Sequence, residues 1–137
     1  VRESVTWSAP CPDCGAELEC VGVQALEAGR LRWDAESACP GCGFALAECG
    51  GDLPGERREQ LLAAHGPARL RVSDAGSAGR VRIMRVLRAE AGLDPAGAKT
   101  AARRVLDGEY AGTLPEMELL AGKLRAAGVG AAAVRDD

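Results

Sequence analysis

Aromatic side chains are nearly missing from this chain of 137 residues: Trp7, Trp33, Phe44 and Tyr110 are all it has. Surfaces that hold single-stranded nucleic acid stack bases on aromatic rings, so their scarcity argues against one. His65 is the sole histidine. No apolar run approaches the roughly 18 residues of a membrane-spanning helix. No basic start is followed by an apolar stretch, so a secretory signal is not expected and a cytoplasmic location is. Lysine is rare as well: 15 of the 17 basic residues are Arg. With Ala and Gly abundant, as GC-rich coding would produce, arginine number says little about phosphate binding, and only placement counts. Catalytic groups are equally thin. The glycines at 92 and 97 lack the spacing and preceding strand of a phosphate-cradling loop. Asp52, Asp74 and Asp107 sit at turns, where capping explains them. No Ser or Cys stands in a recognisable nucleophile turn, and the expectation is a protein that is not an enzyme.

What is present is unevenly placed. At 47% hydrophobic the chain is too apolar for disorder. Residues 1–66 hold five basic and eleven acidic side chains, a net of −6, whereas residues 67–137 hold twelve and nine, a net of +3. All six cysteines fall in the first part. Two compositions meeting near residue 66 predict two modules.

The cysteines follow a pattern. Cys11-Pro12-Asp13-Cys14-Gly15 and Cys39-Pro40-Gly41-Cys42-Gly43 are two C-P-x-C-G knuckles, with 24 residues between Cys14 and Cys39. Thiolates two residues apart can reach one ion if the chain turns sharply, Pro fixing φ and Gly permitting φ > 0. Two knuckles complete a tetrahedral shell of Cys11, Cys14, Cys39 and Cys42, the closed, structural type of zinc site. Iron in a rubredoxin-like site would use the same ligands. A disulfide framework does not suit a chain without an export signal. Paired knuckles also match poorly the single helix-opening C-x-x-C of a thioredoxin-type redox site. Between the knuckles, residues 17–27 alternate Leu18, Cys20, Gly22 and Gln24 against Glu19, Val21 and Val23. A turn at 28–30 leads to a return strand at 31–36, with Leu31, Trp33 and Ala35 on one side. A hairpin between two knuckles resembles a zinc ribbon, assigned to residues 1–53. Cys20 and Cys49 echo each other after their knuckles, either as a redox or alternate-ligand pair or as two small buried side chains. A Zn(Cys)₄ centre would bring this half to about −8, a surface that repels phosphate backbones.

Residues 54–66 read as loop then a connecting helix, 56–65, ended by Gly66-Pro67. His65, near its end, is expected to face solvent. In 67–137, a strand at 69–73 and a turn at 74–79 precede a helix at 80–91. Asp94 caps a second helix, with Pro95 at its first position, that runs to 106. Thr113-x-x-Glu116 forms a capping box for a third, and residues 129–134 close with a small-residue strand. The expected fold class is α+β: a small ribbon, then three helices on one face of a small antiparallel sheet.

Residues 69–134 resemble the C-terminal domain of the ribosomal stalk protein L7/L12. The strongest stretch is Arg80-Val81-Arg82-Ile83-Met84-Arg85-Val86-Leu87-Arg88, then Gly92-Leu93 and Ala98-Lys99. The chain departs from the family in lacking its dimerisation helix pair and Ala-rich hinge, and in a longer segment near 108–112. The helical wheel puts Ile83, Val86 and Leu87 toward the sheet and Val81, Met84, Arg85 and Arg88 on the other side. A stripe mixing apolar anchors with cations suits a partner surface; the alternative is a solvated Arg-rich face with Val81 covered by the N-terminal module. In the family the equivalent face, with the A-K lysine, recruits translational GTPases. Carried over by position, that surface is Arg80, Val81, Met84, Arg85, Arg88 and Lys99, with Gly92 and Leu93 at its rim. The resemblance implies an adaptor docking on a translational GTPase or ribosome-associated factor. An immunity or antitoxin-like inhibitor would need no more than the same face. A nucleic-acid regulator is disfavoured by the acidic ribbon.

Overall fold

The computed structural model describes residues 1–73 and 76–135. The described residues form an α+β protein with four helices and two antiparallel sheets. The chain divides into two compact units, Val1–His65 and Gly66–Asp137.

The first unit is a four-stranded meander rather than the single hairpin expected. Strands β1 (Arg2–Pro10), β2 (Glu17–Glu27), β3 (Arg30–Ala38) and β4 (Ala45–Gly51) pair in chain order, each antiparallel to the next. β2 alternates as its sequence predicts, with Leu18, Cys20, Gly22 and Gln24 buried. The register sets Glu3, Val5 and Trp7 of β1, and Ala35, Trp33 and Ser37 of β3, on that same face. Trp7 and Trp33 stack there with centroids 6.2 Å apart. Gly22 lies under them, and any Cβ at this position would collide with the Trp33 ring. This face is closed by α1 (Gly55–His65), whose Leu61 is fully buried against Val5 and Trp33. Arg57 places its guanidinium 4.5 Å from the centre of the Trp7 ring, a cation–π contact. Two further α1 side chains cover the outer edge of β1: Gln60 donates to the Thr6 carbonyl, and His65 Nε2 lies 2.8 Å from that of Ser4. These contacts occupy carbonyls on the β1 edge that another strand would otherwise pair with.

The second unit runs β5 (Ala68–Ser73), α2 (Gly76–Ala91), α3 (Pro95–Leu106), β6 (Ala111–Gly112), α4 (Leu114–Ala126), β7 (Gly130–Arg135), with sheet order β6-β5-β7. The turn expected at 74–79 is a correction: α2 begins at Gly76, one turn early, while Asp74 and Ala75 lie outside the described residues. Gly79 is buried, so packing overrides the poor helix propensity of this segment. β6 is a further strand, formed inside the long segment after α3. β7 starts one residue later than expected because the N–H of Val129 still bonds to Leu124 O at the end of α4. Both helix caps form: Asp94 Oδ1 accepts from Gly97 N at 2.7 Å, and Thr113 and Glu116 make the reciprocal box. The core joins Leu70, Ile83, Leu87, Val105, Met117 and Leu124.

Candidate metal centre

The meander places both knuckles at one end of the sheet, in the β1–β2 and β3–β4 connections. They are near copies of each other. Cys11 N donates to Ala16 O and Gly15 N to Cys11 O; Cys39 N donates to Phe44 O and Gly43 N to Cys39 O. Gly15 and Gly43 take φ of +76° and +79°, the left-handed turn that a side chain would resist. Each knuckle contributes one buried sulfur, from Cys11 or Cys39, and one from an exposed residue, Cys14 or Cys42.

The four Sγ atoms lie within 4.8 Å of one another. Two pairs bridge the two knuckles, Cys11 to Cys42 at 3.6 Å and Cys14 to Cys39 at 3.5 Å. A tetrahedral zinc–thiolate centre with bonds of about 2.3 Å has sulfur–sulfur edges of about 3.8 Å. The cluster therefore fits a metal ion such as zinc. With all four positions filled by protein, such an ion would have a structural role rather than one in catalysis.

The thiols interact electrically. Cys39 is held down to about 7, chiefly by the N–H of Cys42 donating to its sulfur, against the effect of burial. On Cys42 the N–H of Phe44 pulls the same way, yet burial and the sulfurs of Cys11, Cys14 and Cys39 push it up to about 12. Cys14 is also raised, its bond from Ala16 N–H being outweighed by the Cys39 sulfur and burial. Four thiolates cannot crowd together unaided; a bound cation is what would let all four ionise.

Around the sulfurs, Trp7, Leu18, Cys20 and Phe44 form an apolar shell. Cys20 is buried within it and its sulfur accepts from Ser37 Oγ at 3.3 Å. Cys49 instead stands exposed on β4. β3 lies between their strands, and Cys49 stands three residues along β4 from the position level with Cys20, so the two cysteines are more than about 10 Å apart and cannot pair without rearrangement. His65 is at the far end of α1, its Nδ1 3.9 Å from Glu3 Oε2. The approach of the sulfurs to one another, which with burial sets the thiols apart, carries no sequence signal beyond the knuckle spacing.

The second candidate surface lies on α2 and α3. Arg80, Arg85, Arg88 and Lys99 are exposed, and Val81 is 50% exposed. Ile83 and Leu87 are fully buried and Val86 packs beside them, as the wheel predicts. Met84 differs: it is partly buried against the core, as is Leu93, leaving Val81 as the free apolar group. At 100° per residue Met84 borders the buried arc rather than the centre of the stripe.

No helix among the described residues is long and apolar enough to cross a membrane. No protein-family model matches the chain, and neither a curated protein nor a solved structure matches it significantly.

Proposed function

We propose that this chain is a non-catalytic, zinc-binding adaptor: a zinc-ribbon unit stapled by Cys11, Cys14, Cys39 and Cys42, followed by an L7/L12 C-terminal-like unit that docks on a protein partner. The convergence of four sulfurs within 4.8 Å carries the metal part of this reading. Zinc is favoured over iron because the ribbon needs a staple and a closed Cys₄ shell needs no redox change to supply it. The docking face is α2 with Lys99, where Val81 supplies an exposed apolar centre and Arg80, Arg85 and Arg88 supply orientation and steering. The partner class follows from the L7/L12 resemblance of residues 69–134: a translational GTPase or a ribosome-associated factor, met in the cytoplasm.

The test is capture of purified translational GTPases by the immobilised full chain. Because Met84 is half-buried, the informative variant is Val81→Glu with Arg88→Glu, which leaves the core intact. Capture is expected to weaken by about tenfold or more, with the circular-dichroism spectrum unchanged. Equal capture by the variant would contradict the docking face.

A further inference from the structure

The four-stranded sheet has two faces, and α1 covers only one. The second is bare. Its side chains stand in rows fixed by the register: Thr6, Val21, Glu36 and Ala47 lie side by side across the four strands. The next row toward the knuckles holds Glu19 between Ser8 and Ala38. Together these rows floor an open groove of about 980 Å³. Short side chains keep the floor low, and Val21, 38% exposed, is its apolar centre.

Charge on this floor has one sign. Glu19 and Glu36 are diagonal neighbours, with Cα atoms roughly 7–8 Å apart. Neither is ion-paired among the described residues. The cations that share the face, Arg2, Arg30 and Arg32, sit at the opposite end of the strands, where Arg32 is engaged by Asp34 at 2.9 Å. The surrounding residues 1–66 carry a net of −6 before any thiolate is counted.

We infer that this bare sheet face binds a basic peptide segment, its Arg or Lys side chains meeting Glu19 and Glu36 and its short apolar side chains resting on Val21. Alternate residues of an extended peptide are about 6.6–7 Å apart, which matches the diagonal spacing of the two carboxylates. Nucleic acid is repelled by the same charges. The surface is separate from the α2 face and stands whether or not that face docks a GTPase.

The experiment uses the zinc-loaded full chain and a fluorescein-labelled Arg-Ala repeat peptide, followed by anisotropy, with a Glu-Ala repeat of equal length for comparison. The Arg-Ala peptide is expected to bind and the Glu-Ala peptide not. Glu19→Lys with Glu36→Lys is expected to weaken binding by about tenfold or more. Glu27→Lys with Asp52→Lys makes the same change in net charge on exposed positions outside the groove and is expected to leave binding within about twofold. Amide shift mapping on the unaltered chain supplies a check that needs no variant, with shifts expected at Thr6, Val21 and Ala47. Absence of Arg-Ala binding, equal loss in both charge-reversed pairs, or shifts confined to other surfaces would overturn the proposal. So would self-association of the chain through this face, which would make a second copy its occupant.

Discussion

At the scale of single residues, the four knuckle cysteines differ more than their shared motif suggests. Cys39 is set to about 7 by the backbone N–H of Cys42, while Cys42 is pushed up to about 12 by burial and its sulfur neighbours. Cys14 is raised as well. Without metal, Cys14 and Cys42 therefore keep their protons at neutral pH, and binding an ion must release both. Metal affinity is therefore expected to fall as pH falls, by at least about a hundredfold per pH unit, since at least these two protons must leave. Below about pH 7 the slope steepens, since Cys39 then also holds a proton in the metal-free state. Competition titrations against a zinc chelator between about pH 6 and pH 8 would show this slope, and a pH-independent affinity would contradict the thiol assignments.

At the scale of elements, helix α1 holds the sheet through Leu61, and helix α4 is started by Thr113. Leu61→Ala leaves a void between Val5 and Trp33 and is expected to cost about 2–5 kcal/mol in the first unit. Thr113→Ala removes the capping box and is expected to cost about 0.5–2 kcal/mol in the second. Denaturant melts read by Trp fluorescence and by helical circular dichroism would separate the two effects, since both Trp residues lie in the first unit. Elements with complete local signals were legible in the sequence: the capped helices, the alternating β2, and the knuckles. β1 was not, because the charged Glu3 occupies an inward position and is answered only by tertiary neighbours such as His65. β4 was not either, since Ala45–Gly51 is exposed throughout and has no buried alternation to read. Likewise Met84 belongs partly to the core, because its place at the border of the buried arc depends on how α2 sits among its neighbours.

At the scale of the molecule, residues 1–66 at −6 and 67–137 at +3 belong to units held by different means. The second has its own apolar core. The first spreads its buried apolar residues over two small clusters, one of which includes Cys11 and Cys39. Small domains of this kind depend on a staple. Removing metal with a chelator is thus expected to melt the Trp-containing unit and spare the helices of the other, so that calorimetry then shows only the second unit's transition. If chelation leaves the melting profile unchanged, the staple has no such role. The most direct measurement is the metal content of the full chain purified under reducing conditions, determined by elemental analysis beside Cys39→Ser. About one zinc per chain, lost in the variant, is the expected result for a closed Cys₄ centre. A red protein containing iron, or a metal-free chain with the knuckle thiols freely titratable, would contradict it.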